Sequence, residues 1–427
     1  MKVKISPGSI SGKLQAPASK SSMQRALAAA LLHEGETTIS NPGNSADDKA
    51  ALNIIRSLGA EVDETGNEYR VRSGSALRKR LLSTTTVHCG ESGLSARMFA
   101  PIAALYENEI IITGEGSLLN RPMHFFDEVL PQLGVSISSD DGKLPLKIKG
   151  PLHPKDITVD GSLSSQFLTG LLFAFGDAAT GPVVITVNEL KSKPYIDLTL
   201  GLMKKFGYDI SHKDHHQFFI GPKKRSAENI SYTVEGDWSG AAFLLVAGAV
   251  AGEIKLSGLN MNSAQADRAI MQVLKDCGAE IQITGTGIEI KRSALRPFHF
   301  DATDSPDLFP PLVALAAYCR GVSVIKGISR LANKESNRAE TLKDIFGKMG
   351  VNISLTGDEM SVHGGGIISG ATVSPHRDHR IAMAAAVAAL GANAPVIIED
   401  AESVNKSYPA FFKDMQTASA LIYIIEP

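Results

Sequence analysis

Basic side chains lie near the predicted starts of several helices, where a positive charge is unfavourable. A helix N-terminus presents free backbone N–H groups and a partial positive charge, so a cation there opposes the helix dipole. Lys20 and the pair His379-Arg380 nevertheless fall in or next to first turns, and Arg25 and Arg97 follow within about two turns. Because helix N-termini bind anions readily, this pattern indicates that these helix starts serve an anionic ligand.

Polar loops before a second set of helices extend the pattern. Four loops carry basic, hydroxyl and amide side chains: Asn120-Arg121-Pro122, Lys191-Ser192-Lys193-Pro194-Tyr195, Lys334-Glu335-Ser336-Asn337-Arg338 and Asn405-Lys406-Ser407-Tyr408. Arginine offers phosphate and carboxylate groups a planar fork, whereas lysine offers a point charge. Together these loops favour a cleft that binds a small polyanion.

Each of these residues also has a purely structural interpretation. A single lysine or arginine is more often a solvated surface charge than a ligand-binding group. In that interpretation Asp307 is only an N-cap, and Glu335 only pairs with Arg338 or Lys334. The serines at helix starts are then plain caps: Ser19, Ser92 and Ser164. Recurrence of the charged positions at a fixed spacing favours the functional interpretation.

Two series of residues recur at about 72 positions and reveal an internal repeat. The first series is a glycine that ends a helix and precedes a strand, with steps of 75, 73, 71 and 72: Gly59, Gly134, Gly207, Gly278 and Gly350. Glycine there usually adopts the left-handed conformation. The second series opens six apolar helices, with steps of 73, 72, 73, 70 and 72: Ser19, Ser92, Ser164, Asp237, Asp307 and His379. Ser and Asp are common N-caps, and helices that are apolar nearly all round are buried.

The six predicted repeats, each with two helices and several strands, divide into two sets of three near Glu235-Gly236. We expect one domain over residues 20–233 and a second domain that combines residues 1–19 with residues 234–427. The strand-like residues 3–16 are expected to pair with the last repeat, whose C-terminal end is truncated.

Composition limits the classes of protein to which the chain can belong. Its 427 residues suffice for two or more domains, and its 43% hydrophobic and 21% charged residues are ordinary for a globular protein. A net charge of -2 argues against a nucleic-acid partner. Three dispersed cysteines favour a reducing compartment over a disulfide framework or a cysteine-based zinc site. Without a recognisable signal peptide or a long apolar run, we expect a cytoplasmic protein with no membrane partner.

Seven motifs resemble those of the 5-enolpyruvylshikimate-3-phosphate synthase family, in the family's order and over essentially the whole chain. They read Lys20-Ser21-Ser22-Met23-Gln24-Arg25, Ser164-Ser165-Gln166-Phe167, Ser192-Lys193-Pro194-Tyr195-Ile196, Pro306-Asp307, Lys334-Glu335-Ser336-Asn337-Arg338, Asp378-His379-Arg380-Ile381-Ala382-Met383 and Lys406-Ser407-Tyr408-Pro409. The resemblance implies an α/β fold, a two-domain inside-out α/β barrel with three pseudo-symmetric βαβαββ units per domain. It also implies an active site in the interdomain cleft and domains that close on the substrate.

The resemblance further implies a role for each matching residue. The residues implied to bind shikimate 3-phosphate are Lys20, Ser21, Arg25, Ser164, Ser165, Gln166, Ser192, Tyr195, Asp307 and Lys334. Those implied to bind phosphoenolpyruvate are Lys20, Gly93, Gln166, Arg338, His379, Arg380 and Lys406. Lys20, Asp307 and Glu335 are implied to be catalytic.

The implied activity moves the enolpyruvyl group of phosphoenolpyruvate to the 5-hydroxyl of shikimate 3-phosphate. Glu335 with Lys20 would form the acid/base pair, and Asp307 would orient or deprotonate the hydroxyl. The basic residues would stabilise anionic groups in a closed cleft. We expect no metal and no organic cofactor, the two small-molecule substrates as partners, and a monomer.

Four positions depart from the family pattern. Glu91 and Leu94 replace an amide and a hydroxyl in the loop of residues 90–94, and Arg330 replaces a frequent asparagine. Ser117 stands where the family usually has an additional arginine. The departures predict a lost anion contact in the phosphoenolpyruvate site, unless Arg121 substitutes for it.

Two other functions stay open. The related UDP-N-acetylglucosamine enolpyruvyl transferases typically carry a cysteine in a mobile loop, and residues 114–121 contain none. The second alternative is a non-catalytic anion-binding protein on the same scaffold, because a fold does not fix a function. The presence of Lys20, Glu335 and Asp307 favours the enzyme.

Two further patterns resemble functional motifs but have simpler interpretations. His212, His215 and His216 lie between two strand-like runs without supporting cysteines, and we predict a solvated hairpin turn rather than a metal site. The run His363-Gly364-Gly365-Gly366 resembles a lipase oxyanion loop, but no Gly-x-Ser-x-Gly motif accompanies it. We interpret this run as a turn.

Overall fold

The computed structural model describes residues 1–81, 83–224 and 226–426. They form two compact units. The first unit comprises residues 18–235, and the second unit combines residues 1–17 with residues 236 onward. The predicted boundaries, after residues 19 and 233, each lie two residues from those of the units. Residues 82, 225 and 427, which fall inside the predicted domains, lie outside the described residues.

The described helices, numbered in chain order, come in pairs within each repeat, apart from the short additional helix Ser75–Arg78. They are α1 Lys20–Leu31, α2 Ala46–Ser57, α3 Ser75–Arg78, α4 Gly93–Ala103, α5 Phe125–Val129, α6 Ser165–Ala178, α7 Lys193–Lys205, α8 Trp238–Ala251, α9 Ile270–Asp276, α10 Phe309–Tyr318, α11 Arg338–Lys348, α12 His379–Ala389 and α13 Phe411–Thr417. Short 3-10 turns include Gly116–Asn120, Ala266–Ala269, Pro306–Leu308, Ile328–Arg330 and Ala401–Lys406.

The strands are short. They are β1 Lys2–Ser6, β2 Ile10–Gln15, β3 Glu36–Ser40, β4 Glu61–Thr65, β5 Glu68–Arg72, β6 Thr85–His88, β7 Glu109–Thr113, β8 Ser136–Asp140, β9 Lys143–Lys149, β10 Ile157–Asp160, β11 Val183–Asn188, β12 Ile210–Lys213, β13 Gln217–Ile220, β14 Ile230–Thr233, β15 Gly252–Ser257, β16 Glu280–Thr284, β17 Gly287–Lys291, β18 His299–Asp301, β19 Gly321–Lys326, β20 Asn352–Thr356, β21 Glu359–Gly364, β22 Thr372–Val373, β23 Val396–Ile398 and β24 Leu421–Glu426.

These strands form six four-stranded sheets among the described residues, and all six have the same pattern. Each contains one parallel pair, such as β10 with β11, followed by two antiparallel neighbours, such as β13 and β12. The first unit holds three sheets, β14-β3-β5-β4, β6-β7-β9-β8 and β10-β11-β13-β12. The second holds β16-β17-β15-β2, β18-β19-β21-β20 and β22-β23-β1-β24. The predicted six-fold repetition and the α/β fold are confirmed.

The N-terminal strands complete two different sheets of the second unit. β1 lies between β23 and β24 and is antiparallel to both, which confirms the predicted pairing with the last repeat. The prediction is wrong for β2, which pairs in parallel with β15 in the fourth repeat. Pro7 lacks a backbone N–H, so the strand is interrupted at Pro7-Gly8 and its two halves join separate sheets.

Six buried helices form the cores of the two units, three in each: α1, α4, α6, α8, α10 and α12. Every residue of α8 is buried, and each large apolar side chain there contributes roughly 1.5–3 kcal/mol of burial free energy. The predicted N-caps are confirmed for four of these helices, since a side-chain oxygen accepts a backbone N–H at Ser19, Ser92, Ser164 and Asp237. His379 is itself the first residue of α12, and the residue before it, Asp378, caps that helix in the same way. The predicted cap at Asp307 is wrong, because α10 begins two residues later after a 3-10 turn.

The five glycines of the repeat adopt the predicted left-handed conformation, with φ between 76° and 98°. A side chain at such a φ would be strained, so glycine fixes the end of each helical segment.

Among the described residues, no helix combines the length and the apolar character that crossing a membrane requires.

Candidate active site

The guanidinium group of Arg338 organises a buried cluster of charges in the second unit. Arg338 is the first residue of α11 and is 1% exposed. Its Nη1 donates to Asp307 Oδ1 at 2.8 Å, its Nη2 to Glu335 Oε2 at 2.6 Å and its Nε to Asp378 Oδ2 at 2.8 Å. One cation therefore binds three carboxylates from three different segments. We call Asp307, Lys334, Glu335, Arg338, Asp378 and Arg380 the charge cluster.

Asp307 is the most heavily surrounded carboxylate of the charge cluster. Besides Arg338, it accepts from Arg380 Nη2 at 3.1 Å and from Lys334 Nζ at 3.4 Å. Burial alone would raise the pKa of Asp307, but these three basic groups outweigh it and hold the pKa well below its usual value. Asp307 is therefore an ionised hydrogen-bond acceptor in the folded chain and not the simple N-cap of the alternative interpretation.

The remaining predicted residues of the second unit border the charge cluster. Lys406 Nζ lies 3.9 Å from Glu335 Oε1. His379 is buried at the start of α12, and its Nδ1 lies 3.8 Å from Asp378 Oδ1. The structure thus brings together all seven residues predicted in this unit: Asp307, Lys334, Glu335, Arg338, His379, Arg380 and Lys406. The pairing of Glu335 with Arg338 was the simpler alternative, and it is one contact within this larger network.

Ligand atoms of Glu335, Asp378 and His379 lie within 4.8 Å of one another, a spacing that a metal ion could use. Arg338 already donates to both carboxylates. A metal ion would have to share these oxygens with a buried guanidinium group, so the residues do not fit a resident metal.

In the first unit, Arg25 connects the start of α1 to the start of α7. This buried side chain donates from Nε to Thr199 Oγ1 at 2.8 Å, from Nη1 to the carbonyl of Ser21 at 2.8 Å and from Nη2 to the carbonyl of Tyr195 at 3.4 Å. Burial lowers the pKa of Arg25 to about 10, so the side chain stays protonated at neutral pH. Ser192, which precedes α7, has a left-handed φ of 55°, a strained conformation of the kind that clusters at functional sites.

The starts of α1, α4 and α6 are also joined by side chains. Gln24 Oε1 accepts the hydroxyls of Ser92 and Ser95 at 3.1 and 2.9 Å. Arg97 Nη1 donates to Gln166 Oε1 at 3.0 Å, and Ser164 caps the helix on which Ser165 and Gln166 lie. The structure therefore groups the helix starts that carry the residues predicted in this unit: Lys20, Ser21, Arg25, Gly93, Ser164, Ser165, Gln166, Ser192 and Tyr195.

Comparison with known proteins assigns the chain to a family. The family model of EPSP synthase (3-phosphoshikimate 1-carboxyvinyltransferase) matches residues 5–415. The chain belongs to the EPSP synthase family. It is 35% identical over 426 residues to the 3-phosphoshikimate 1-carboxyvinyltransferase of Clostridium novyi, covering 98% of each chain. It is 37% identical over 420 residues to the enzyme of that name from Methanocorpusculum labreanum, covering 98% of this chain and 99% of the other.

Solved structures agree with this family assignment. EPSP synthase of Acinetobacter baumannii has a TM-score of 0.84 to this chain, with 26% identity and 100% coverage of both chains. The enolpyruvyl transferase NikO of Streptomyces tendae has a TM-score of 0.77 at 18% identity, covering 99% of this chain and 98% of the other. At that identity the likeness to NikO shows the fold alone.

Two acidic residues of the site were missed by the sequence analysis. Asp47, at the start of α2, accepts from Lys20 Nζ at 2.8 Å. Asp267 is buried before α9 and accepts the hydroxyl of Ser239. Burial, reinforced by the Asp307 carboxylate, raises the pKa of Asp267 to about 7. Asp47 lies in the first turn of the second helix of its repeat and Asp267 just before the second helix of its own, so the 72-residue phase that found the other four loops points to both regions.

Two of the four residues that depart from the EPSP synthase pattern, Glu91 and Ser117, contact each other. Ser117 Oγ donates to Glu91 Oε2 at 3.0 Å, and Arg121 Nη2 donates to Ser117 Oγ at 3.3 Å. A Cβ atom added at Gly93 would lie 2.7 Å from Arg121 Nη1 and 3.6 Å from Arg97 Nη1. The first turn of α4 is therefore flanked by two buried guanidinium groups. The resemblance assigned neither arginine to a substrate, although Arg97 belonged to the basic pattern at the helix starts and Arg121 was named as the substitute for the lost anion contact.

Asp48 lies beside the Lys20–Asp47 pair and closes a capping box at the start of α2. Its Oδ2 accepts from the hydroxyl of Ser45 at 2.6 Å and from the backbone N–H of Ser45 at 3.2 Å. Burial is the main reason that the pKa of Asp48 rises to about 7, although its bond to Ser45 and the charge of Lys20 oppose the shift.

We expect Asp48→Asn to remove a pH dependence of stability. A carboxyl with a folded pKa of about 7, against about 3.9 unfolded, binds more protons in the folded state between these values. Its stabilising contribution is therefore complete below pH ~4 and is lost as the pH rises through ~7. Relative to Asp48→Asn, the native chain should lose up to about 4 kcal/mol of stability over this range.

The free energy of unfolding can be measured at each pH from the urea dependence of thiol labelling at Cys89, which is buried in the first unit. A dithiopyridine reagent is suitable because it also reacts at acid pH. Asp214→Asn, a change at an exposed turn of the same unit, is the matched control and should keep the native pH profile. Parallel profiles for the native chain and Asp48→Asn would show that Asp48 is ionised throughout.

His215 and His216 lie in the predicted hairpin turn between β12 and β13, whereas His212 lies in β12. Asp197 joins them, with His215 Nε2 at 2.6 Å and His212 Nε2 at 3.9 Å from its Oδ1. His212 Nδ1 accepts the backbone N–H of His215 at 3.1 Å, which places the proton of neutral His212 on Nε2. A metal ion needs the lone pair of that nitrogen, so the geometry opposes a metal site here.

Proposed function

We propose that this chain transfers the enolpyruvyl group of phosphoenolpyruvate to the 5-hydroxyl of shikimate 3-phosphate and releases phosphate. The observation that supports this most is the charge cluster, in which buried Arg338 binds Asp307, Glu335 and Asp378. These residues lie at the motif positions that resemble the EPSP synthase family. Both substrates carry a phosphate and a carboxylate, which arginine and lysine bind with charge-assisted hydrogen bonds.

The transfer takes place in two steps at the C2–C3 double bond of phosphoenolpyruvate, an addition followed by an elimination. The 5-hydroxyl oxygen adds to C2 of phosphoenolpyruvate while C3 takes a proton and becomes a methyl group. Phosphate then leaves C2 with its bridging oxygen while a proton is removed from the methyl group, which restores the C2–C3 double bond. All atoms and electrons balance without an oxidant, a metal or an organic cofactor.

We infer that Lys20 and Glu335 move these protons. Glu335 is held by Arg338 at 2.6 Å, and Lys20 is held by Asp47 at 2.8 Å, so both groups are oriented before substrate binds. Asp307 is a weak base while three basic groups hold its pKa far down. Its proposed role is therefore to accept a hydrogen bond from the 5-hydroxyl and orient it.

Substrate binding follows the same residues. We propose that Ser21, Arg25, Ser164, Ser165, Gln166, Ser192, Tyr195 and Lys334 bind shikimate 3-phosphate, and that Arg338, His379, Arg380 and Lys406 bind phosphoenolpyruvate, with Gly93 and Gln166 beside it. Arg121 is added to the second group, because its Nη1 flanks the first turn of α4 next to Gly93. In this proposal Arg121 restores the anion contact that Ser117 would otherwise lose.

We expect Arg121→Gln to raise the KM for phosphoenolpyruvate about 10- to 100-fold, because one charge-assisted hydrogen bond contributes roughly 1.5–3 kcal/mol. The KM for shikimate 3-phosphate should change little. Steady-state kinetics with each substrate varied in turn would measure both constants. Arg70→Gln, a change of an exposed arginine in the same unit, is the matched control. An unchanged KM for phosphoenolpyruvate would remove Arg121 from the site.

Phosphate release by the purified chain tests the proposed function. We expect release only when phosphoenolpyruvate and shikimate 3-phosphate are both present. Calorimetric binding of shikimate 3-phosphate without release would instead favour the non-catalytic anion-binding protein. Release with UDP-N-acetylglucosamine in place of shikimate 3-phosphate would favour the related transferase.

We further expect the chain to act in the cytoplasm as a monomer, with these two small molecules as its partners. Light scattering that gives a mass near 45.3 kDa would agree with a monomer, whereas twice that mass would contradict it.

A further inference from the structure

The second unit contains a cavity that lies away from the charge cluster. It has a volume of about 690 Å³ and is lined by the C-terminal ends of α8, α10 and α12, by Gly365 and Gly366, and by residues near 391. The charge cluster adjoins the opposite ends of α10 and α12. An 11-residue helix such as α12 spans about 16 Å, so the two places are separated by the length of the buried helices. We call this cavity the distal pocket.

The charges that line the distal pocket are all positive. Arg292 and Arg320 are among its lining residues, and no aspartate or glutamate is. Within the described part of the chain, neither guanidinium group has a side-chain hydrogen bond or an ion pair. Two cations that face one cavity without a counter-ion repel each other and raise the local concentration of anions.

These arginines are not needed to satisfy the ends of the helices. Basic side chains near a helix C-terminus often bond its last carbonyls. Here the carbonyl of Ala317 accepts from the N–H of Gly365 at 2.9 Å, and that of Ala388 accepts from the hydroxyl of Tyr318 at 2.6 Å. The carbonyl of Leu390 accepts from the N–H of Gly8 at 2.9 Å. Both guanidinium groups therefore remain available to a ligand.

The glycine run near residue 364 shapes the distal pocket. Its interpretation as a turn is wrong for His363 and Gly364, which belong to β21, because they pair with β19. A Cβ atom at Gly364 would lie 1.9 Å from the carbonyl oxygen of Ala316, and one at Gly365 would lie 2.7 Å from Arg320 Cα. Glycine lets this segment close against the end of α10, so Arg320 is held beside the cavity by direct backbone packing.

The rest of the wall combines apolar residues with the polar residues Ser9 and Asn393, and it includes one aromatic ring. The Tyr318 hydroxyl is fully used, since it donates to the carbonyl of Ala388 at 2.6 Å and accepts the N–H of Gly391 at 2.9 Å. The ring packs so closely on Gly391 that a Cβ atom there would lie 2.6 Å from Tyr318 Cε1. Val250 and Leu390 also line the cavity. A ligand would therefore meet two cations, an aromatic ring and apolar side chains in the same cavity.

We propose that the distal pocket binds a small cyclic organic dianion, with its charged group between Arg292 and Arg320 and its ring against Tyr318. The volume falls within the range of about 300–1,000 Å³ that small-molecule sites occupy. The distal pocket uses none of the residues that the proposed enolpyruvyl transfer needs, so binding there can be tested separately from that function.

Phenyl phosphate is the probe, because it joins a dianion to one ring. In the full chain labelled with ¹⁵N-glycine, we expect saturable shifts of the Gly365, Gly366 and Gly391 amides, which report on this pocket and not on the charge cluster. Phenol, which has the ring without the charge, and inorganic phosphate, which has the charge without the ring, should each bind at least about 10-fold more weakly.

The double variant Arg292→Gln/Arg320→Gln should weaken phenyl phosphate binding at least about 30-fold and leave the turnover of phosphate release unchanged. Arg296→Gln alters an exposed arginine of the same segment that does not line the pocket, and it should bind as the native chain does. Absence of glycine shifts at millimolar probe, or equal binding by the native chain and the double variant, would overturn the proposal. Equal binding of inorganic phosphate and phenyl phosphate would overturn the role of the ring.

Discussion

Lys20→Met is expected to lower the turnover number about 1,000-fold, which is the contribution of a well-placed proton-transfer group. Lys20 is the first residue of α1, and its Nζ is fixed 2.8 Å from Asp47 Oδ2. Methionine keeps the apolar stem and removes the ammonium group, so the acid/base pair with Glu335 would lose one of its two members. The turnover number for phosphate release, with both substrates saturating, is the quantity to measure.

Two variants separate the loss of the proton carrier from a structural effect. Lys20→Met leaves the Asp47 carboxylate buried without its cation, so Lys20→Met/Asp47→Asn restores the charge balance and should stay inactive. Lys49→Met alters an exposed lysine of the same unit and should remain active. Near-native turnover in either variant that lacks Lys20 would refute its proposed role.

Arg338→Met is expected to abolish activity and to destabilise the second unit by about 3–5 kcal/mol, the usual cost of removing one partner from a buried ion pair. The buried guanidinium group donates to Asp307, Glu335 and Asp378 together and offsets part of their negative charge. Without it, carboxylates that lie close together would repel one another in a poorly solvated place. The pKa of Arg338 is raised, because these carboxylates outweigh the effect of burial, so its charge persists at any working pH.

Trp238, the single tryptophan of the chain, is buried in the second unit and reports its unfolding in urea by fluorescence. Arg338→Lys keeps one charge but cannot reach three carboxylates with a fork, so it should fall between Arg338→Met and the native chain. Adding Asp378→Asn to Arg338→Met should recover part of the stability. An unfolding midpoint equal to that of Arg296→Met, the exposed control, would show that the cluster contributes no stability.

Much of the fold could be predicted because its signals are local. A left-handed glycine such as Gly207 and an N-cap such as Ser164 act on the backbone of their own segment, so their spacing shows in the sequence. Strand pairing is decided by residues far apart in the chain. The division of the N-terminal strands between β24 and β15 could therefore not be derived from residues 3–16 alone.

The sequence located the candidate site but did not show which of its charged residues bond to one another. Repeat phase and family motifs identified Asp307 and Arg338, yet neither signal indicates which carboxylates one guanidinium group will bind. Asp307 occupies a cap position in sequence but lies in a 3-10 turn, so its carboxylate is free to accept from basic groups instead of backbone N–H groups. Arg121 was named only as the residue that could replace the lost anion contact, because its reach to Gly93 depends on side-chain direction rather than on spacing.

The position of bond cleavage in phosphoenolpyruvate tests enolpyruvyl transfer most directly. The measurement uses phosphoenolpyruvate that carries ¹⁸O only at its bridging oxygen, with shikimate 3-phosphate and the purified chain, and mass spectrometry of the phosphate released. Addition of the 5-hydroxyl to C2 followed by loss of phosphate predicts that the label leaves with the phosphate. Label that stays on the three-carbon product would show cleavage between phosphorus and oxygen, and it would contradict the proposed transfer.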